Sequence, residues 1–244
     1  MSSYGPHFGE ERVLVGRRGS GTVFFAGCNL SCVFCQNYEI SQFRIGTPIS
    51  EDELALVFLE VQEWGCHNLN LVSPTHVAPQ VIAALMMAKE RGFSLPVVWN
   101  SGGYEKTETL RLLEGLVDIY MPDAKYSDNA IARELSGIDS YWDFCRDALG
   151  EMHRQVGDLI VEDGVAKKGL LVRHLVLPGG LAGTGEVVKF LAELSQDTFL
   201  NLMDQYYPYY RVYERPPLDR RITREEYYEA LEVAKKHLRR VVGD

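Results

Sequence analysis

Apolar positions along the chain alternate between short runs typical of buried strands and longer stretches with the period of an amphipathic helix. Ser50 and Glu53 form a capping box, and the apolar residues that follow recur on one helical face until Gly65. The apolar runs predict six strands, one ending at Phe25 and the others near 68–72, 96–99, 116–121, 170–176 and 199–202. The helical stretches predict helices near 51–64, 79–91, 106–114 and 223–240.

This alternation of strands and helices predicts an α/β fold. Parallel strands need connections long enough to be helical, so the pattern favours a parallel sheet with helices on its outer face. Six units fall short of the eight in a closed barrel, which predicts a partial (βα)6 barrel. We expect one domain over residues 1–244, with its core at about 19–204. The longer crossover at 139–168 is expected to contain a helix and a surface turn.

Composition and charge narrow the classes of partner. With 46% hydrophobic and 24% charged residues, the chain is typical of globular proteins. No uncharged apolar run approaches the roughly 18–20 residues that span a bilayer, and the first residues do not resemble a secretory signal. We therefore expect a cytoplasmic protein with no membrane partner. A net charge of −9 disfavours nucleic acid as a partner.

Five cysteines in such a chain favour metal or redox use over disulfides. Cys28, Cys32 and Cys35 form a C-x3-C-x2-C loop after the first predicted strand, at the barrel end that carries chemistry in such folds. These spacings allow a curled loop to aim three thiolates at one [4Fe–4S] cluster, whose remaining iron stays open for a substrate or cofactor. We expect the other two cysteines, Cys66 and Cys145, to be packed thiols.

A structural zinc site is the alternative interpretation of the same loop. Zinc sites more often pair two-residue C-x-x-C hooks, and here Cys32 and Cys35 are the pair with that spacing. The fourth zinc ligand would then be His7, His67 or His76.

The cysteine motif, with Phe34 directly before its last cysteine, resembles the signature of radical S-adenosylmethionine (SAM) enzymes. Over residues 19–204 the chain is similar to relatives of pyruvate formate-lyase activating enzyme. The resemblance implies that Cys28, Cys32 and Cys35 hold a [4Fe–4S] cluster and that SAM chelates the fourth iron. Reduction of the cluster then cleaves SAM to methionine and a 5′-deoxyadenosyl radical, which abstracts hydrogen from a substrate. A flavodoxin or ferredoxin is the implied electron donor.

Polar segments after the second and third predicted strands are candidates for SAM contacts. Ser73, Thr75 and His76 lie where radical SAM enzymes carry a Gly-Gly-Glu-like segment that receives the SAM amino group, and this chain departs from that pattern. A helix-start role is the alternative for His76. Asn100 and Ser101, before two glycines, resemble the Thr-Asn-Gly turn of the activases, although a plain strand-to-helix turn needs the same glycines.

Three charged residues complete the predicted cofactor site. Asp123 and Lys125 resemble the activases' Asp-x-Lys, which implies that Asp123 organises the methionine end of SAM, with a monovalent cation as a further expected cofactor, and that Lys125 neutralises charge there. A simple salt bridge between them is the alternative. Arg173 lies among apolar strand residues and needs an anion, either the SAM carboxylate or an interior acid such as Asp123. His174 points to the opposite strand face and is left out of the site.

The resemblance leaves two enzymatic hypotheses open. The first is an activase that abstracts hydrogen from a glycine of a partner protein. The second is radical modification of a peptide, an RNA or a small metabolite. A non-catalytic zinc-binding module is a third hypothesis, from a different class. The tyrosine-rich segment 206–210 is expected either to cover the barrel mouth or to pack on the C-terminal helix.

Overall fold

The computed structural model describes residues 1–243. Its strands and helices alternate along most of the chain. The strands are β1 (Ser3–His7), β2 (Ser20–Phe24), β3 (Leu69–Val72), β4 (Val97–Ser101), β5 (Ile119–Pro122), β6 (Ile160–Glu162), β7 (Val165–Leu175), β8 (Phe199–Met203) and β9 (Arg240–Gly243). The helices are α1 (Arg12–Val15), α2 (Tyr38–Ser41), α3 (Glu51–Glu63), α4 (Ala78–Glu90), α5 (Thr107–Leu112), α6 (Asn129–Ser136), α7 (Tyr141–Val156), α8 (Thr184–Leu194) and α9 (Arg224–His237).

The strands form one open, mostly parallel sheet. Its order is β1-β2-β3-β4-β5-β7-β8-β9, with β6 paired beside β7. Strands β2 to β5 and β7 to β9 are parallel, whereas β1 runs antiparallel to β2 and β6 antiparallel to β7. Within the described residues, no pairing joins β1 to β9, so the barrel stays unclosed. The predicted partial barrel is therefore confirmed.

Three strands were not predicted. β1 and β9 add one strand at each edge of the predicted sheet, and β6 forms a hairpin with β7 around the predicted surface turn. The C-terminal helix was predicted to continue to about residue 240, but α9 ends at His237 and residues 240–243 form β9. Pairing of β9 with β8 satisfies its backbone groups, and this long-range gain outweighs the local helical pattern.

Two hydrophobic layers hold the sheet in place. The larger one lies between the sheet and its helices. One of these helices, α3, begins with the predicted capping box, in which Ser50 and Glu53 cap each other's backbone. The smaller one fills the interior at the amino ends of the parallel strands, where Leu14 of α1 packs against inward side chains. Because this end is filled, access to the interior lies at the carboxyl ends of the strands. Across residues 1–243, no helix combines the length and apolar character that crossing a membrane requires.

Candidate active site

A cavity of about 270 Å³ opens at the carboxyl ends of the parallel strands. Three short segments that follow β2, β4 and β5 supply most of its polar wall. Predicted site residues on this wall are Cys28, Cys32, Cys35, Ser73, Asn100, Ser101, Asp123, Lys125 and Arg173. A larger depression of about 550 Å³ lies between α9 and β9 and contains none of them. We therefore place the candidate site in the smaller cavity, where the predicted chemistry converges.

The cysteine loop is fixed against the end of α6. The backbone N–H groups of Ser31 and Val33 donate to the carbonyls of Ser136 and Leu135, at 2.9 and 2.8 Å. Inside the loop, the buried ring of Phe34 packs edge-on against two tyrosines, Tyr126 and Tyr206. The aromatic residue of the motif thus anchors the loop from within.

Each of the three loop sulfurs has a polar neighbour. Cys28 Sγ accepts from the Leu30 N–H at 3.4 Å, Cys32 Sγ lies 3.0 Å from Ser136 Oγ, and Cys35 Sγ lies 3.1 Å from Ser41 Oγ. Burial raises the pKa of the Cys32 thiol to about 11, against the opposing effect of Lys125. Burial also raises the pKa of Cys28. These thiols would therefore lose their protons on binding a metal rather than beforehand.

The donor set fits an iron–sulfur cluster. Three cysteines share one cavity wall, while Cys66 and Cys145 are buried elsewhere as expected. Within residues 1–243, no three His, Cys, Asp or Glu side chains are gathered tightly enough for a single metal ion. A cluster has a different requirement, because each cysteine binds a different iron. The histidines considered as a fourth zinc ligand do not line the cavity; they are His7, His67 and His76.

Asp123 lies between two largely buried cations. Its Oδ2 accepts from Lys125 Nζ at 2.6 Å, and its Oδ1 accepts from Arg173 Nε at 2.8 Å. Burial alone would raise the pKa of Asp123, but Arg173 and Lys125 hold it below its ordinary value. The same carboxylate raises the pKa of both cations against the effect of burial. Both sequence alternatives, the Asp123–Lys125 salt bridge and the interior acid for Arg173, are thus present in one network.

The end of β4 and the glycines that follow it join this network. Asn100 Oδ1 accepts from Arg173 Nη2 at 2.8 Å, and the Asn100 carbonyl accepts from the Ser73 N–H at 2.8 Å. Gly103 follows with φ of 75°, and a Cβ at this position would collide with the carbonyl oxygen of Asp123. Only glycine therefore allows the β4 and β5 segments to approach so closely.

Thr75 and His76 lie outside the wall of this cavity. The Thr75 hydroxyl donates to Glu105 Oε1 at 3.3 Å and lines a separate cavity of about 230 Å³. His76 Nε2 lies 2.8 Å from the carbonyl oxygen of Ala26. The structure thus gives both residues contacts to neighbouring segments and does not bring them to the other predicted site residues.

The tyrosine-rich segment lies at the mouth of the cavity. Tyr206 lines the wall, and its hydroxyl donates to the Leu218 carbonyl at 2.6 Å. Tyr210 stacks on Tyr38 with ring centroids 4.6 Å apart, and the Arg211 N–H donates to the Val33 carbonyl. The segment therefore packs on the cysteine loop, while Tyr206 also lines the depression beside α9, so parts of both predicted positions are present.

Sequence reasoning missed four residues that surround the site. Tyr126 and Ser136 were overlooked; the Tyr126 hydroxyl lies 2.8 Å from Ser136 Oγ, which also meets Cys32. Glu10 and Glu11 lie 3.8 Å from Arg173 Nη1, in the interior of the barrel. Glutamates in a polar stretch before a one-turn helix give no sequence signal of burial, so only the fold reveals them.

Comparisons with known proteins agree with this geometry. The family model of the radical SAM superfamily matches residues 22–161. The uncharacterized protein MJ0674 of Methanocaldococcus jannaschii is 34% identical over 241 residues, which are 95% of this chain. The chain spans 65% of the length of that relative.

Solved structures share the fold at low sequence identity. A radical SAM methyltransferase from Sphaerobacter thermophilus has a TM-score of 0.61 and 13% identity, covering 94% of this chain and 67% of its own. A domain of pyruvate-formate lyase-activating enzyme from Bacteroides vulgatus has a TM-score of 0.50 and 13% identity, covering 70% of this chain and 93% of its own. The family match includes the cysteine loop and the Asp123–Lys125 segment, and the chain belongs to the radical SAM superfamily.

Proposed function

We propose that the chain is a radical SAM enzyme that binds a [4Fe–4S] cluster through Cys28, Cys32 and Cys35 and binds SAM in the adjoining cavity. The observation that carries the proposal is the presence of three cluster-type thiols on the same wall as the Asp123–Lys125–Arg173 network. When bound, the cluster supplies the electron that cleaves the sulfonium of SAM. The protein's share is to hold SAM in place and to exclude water.

The charged network would bind the methionine end of SAM. Lys125 lines the same cavity wall as Cys28 and Cys32, and its charge opposes the rise in the pKa of both thiols. It is the candidate partner for the SAM carboxylate, because its ammonium has three N–H donors and donates to Asp123, whereas the Arg173 guanidinium donates to both Asp123 and Asn100. We assign Arg173 the role of orienting these two side chains. The carbonyls near Ser73 and Asn100 are the candidate acceptors for the SAM amino group.

The expected monovalent cation has no support in this geometry. Each carboxylate oxygen of Asp123 already accepts a hydrogen bond from a cationic side chain. Apolar groups of the wall, including Leu175 and Met203, would keep the reacting centre dry once SAM is bound.

The substrate remains the open part of the proposal. The structural neighbours include a methyltransferase, a methylornithine synthase and an activating-enzyme domain, so the fold is compatible with several substrate classes. The activase role, the modification of a peptide, RNA or metabolite, the flavodoxin or ferredoxin donor and the cytoplasmic location stay predictions. Glycyl-radical electron paramagnetic resonance (EPR) of candidate partner proteins incubated with the reduced protein and SAM separates the activase role from the others.

Anaerobic reconstitution tests the proposal itself. Wild-type protein supplied with iron and sulfide should incorporate both and form 5′-deoxyadenosine from SAM and a reductant. Cys32→Ala should lose the cluster and this product together, whereas Cys66→Ala, a matched change of a buried cysteine outside the cavity, should keep both. A protein that takes up zinc without sulfide and forms no 5′-deoxyadenosine would support the zinc-binding module instead.

A further inference from the structure

Two glutamates that precede α1 reach into the barrel beside the candidate SAM cavity. The side chains of Glu10 and Glu11 are 10% and 8% exposed, although both belong to a polar surface segment by sequence. One carboxylate oxygen of each lies 3.8 Å from Arg173 Nη1. Glu11 Oε1 also accepts from the Asn201 amide at 3.2 Å. Both glutamates lie before the residues that the family model matches.

The glutamates make the charge around the candidate site negative. The cavity wall includes one carboxylate, Asp123, and two cations, Lys125 and Arg173. Asp123 offsets one of the two cations, and an oxidised [4Fe–4S] cluster held by three thiolates, with a net charge of about −1, would offset the other. SAM is itself a net cation, since its sulfonium and ammonium groups exceed its single carboxylate. Carboxylates added to this otherwise balanced site would favour a cationic ligand over a neutral one.

One carboxylate oxygen of Glu11 has no hydrogen-bond partner among the described residues. This oxygen, Oε2, is buried. A buried carboxylate is expensive unless a cation compensates it, and Arg173 is the cation within reach.

We propose that Glu10 and Glu11 place negative charge beside Arg173 and thereby make the site selective for a cationic sulfonium ligand over a neutral thioether. They are positioning and specificity residues, since Arg173 lies between them and the cavity network. The inference rests on the proposed function, because it takes SAM as the ligand. It makes the segment that precedes the residues matched by the family model a part of the cofactor site.

The competing explanation is a structural plug. Leu14 of α1 is fully buried at the filled end of the barrel, and the glutamates nearby would then only fix this segment in place. A structural role predicts equal effects on every adenosyl ligand. A charge role predicts an effect on SAM and little effect on S-adenosylhomocysteine, which lacks the S-methyl group and with it the sulfonium charge.

The test measures dissociation constants for both ligands by anaerobic equilibrium dialysis with reconstituted protein at pH 8. Glu11→Gln should weaken SAM binding by about tenfold, equal to about 1.4 kcal/mol, and change S-adenosylhomocysteine binding less than about twofold. Glu11→Asp, which keeps the charge, should restore most of the preference, and Glu39→Gln, at an exposed residue of α2, should change neither constant.

Equal weakening of both ligands, or no change in either, would overturn the inference. If Glu11→Gln does not fold, the same comparison is made with Glu10→Gln. Failure of wild-type protein to bind SAM at all would instead contradict the proposed function, so the two failures are distinguishable.

Discussion

Arg173 of β7 and Asp123 at the end of β5 are joined by a hydrogen bond of 2.8 Å from Nε to Oδ1. Because Lys125 donates to the other oxygen of the same carboxylate, Asp123 is the shared anion of two cations. The side chains of Asp123 and Arg173 are only 16% and 18% exposed. Protein stability therefore depends on this carboxylate, and the proposed binding of SAM would depend on it as well.

Asp123→Asn should destabilise the protein strongly. The substitution leaves two largely buried cations without their shared anion, and breaking a buried ion pair on one side costs about 3–5 kcal/mol. The free energy of unfolding from urea titrations measures the loss. Asp143→Asn is the control, since Asp143 pairs with Arg146 at an exposed site and its loss should cost less than about 1 kcal/mol. Similar small losses for both variants would contradict the account.

The raised pKa of Glu10 should make the stability of the protein depend on pH. Burial raises the pKa of Glu10 from 4.5 to about 7, although Arg173 opposes the shift. The folded protein therefore holds a proton between these values that the unfolded chain releases, so its stability falls as the pH rises through this window. Glu10→Gln cannot titrate at this position. Its free energy of unfolding should therefore rise relative to that of wild type by roughly 2–3 kcal/mol as the pH increases from 4.5 to 8.

Urea unfolding of wild type and Glu10→Gln across this pH range measures how steeply the free energy of unfolding of each protein changes with pH. Glu39→Gln supplies the control, since removal of an exposed glutamate should leave the slope of wild type unchanged. Parallel curves for wild type and Glu10→Gln would show that Glu10 does not bind a proton in the folded barrel.

Ser136 should tune the reduction potential of a cluster bound to Cys32. Its hydroxyl lies 3.0 Å from Cys32 Sγ, and hydrogen bonds to cluster sulfurs stabilise the reduced form. A hydrogen bond of about 1 kcal/mol corresponds to roughly 40 mV for one electron, so Ser136→Ala should shift the potential by that order in the negative direction. EPR-monitored redox titration measures the shift. Ser127→Ala, whose hydroxyl donates to the Gly183 carbonyl, should have no effect; an equal shift there would contradict a local cause.

The sequence predicted the parts of the fold that local patterns specify. The capping box at Ser50 marks the start of α3, and the apolar runs mark the parallel strands from β2 to β8. β1 was missed because Gly5–Pro6 and largely exposed side chains conceal an edge strand. β9 was missed because its two valines continue the apolar pattern of α9, and only pairing with β8 distinguishes them.

The residues of the candidate site were likewise predicted where local motifs specify them and missed where only the fold brings them together. The cysteine spacing and the Asp-x-Lys pair are local motifs, and the structure brings Cys28, Cys32, Cys35, Asp123 and Lys125 to one wall. Thr75 and His76 were proposed from their position after a strand, but the turn that follows β3 directs them to contacts with other segments. The approach of Glu10 and Glu11 to Arg173 joins residues far apart in the chain, and no local pattern contains that information.

The most direct test of the central claim is EPR of the reconstituted, reduced protein without SAM and with SAM labelled with ¹⁵N in its amino group. A cluster held by three cysteines leaves one iron open, so SAM should alter the cluster signal and its labelled nitrogen should show hyperfine coupling to the cluster. The same signal with and without SAM, with no nitrogen coupling, would contradict the assignment of this cavity as a site where SAM binds the cluster.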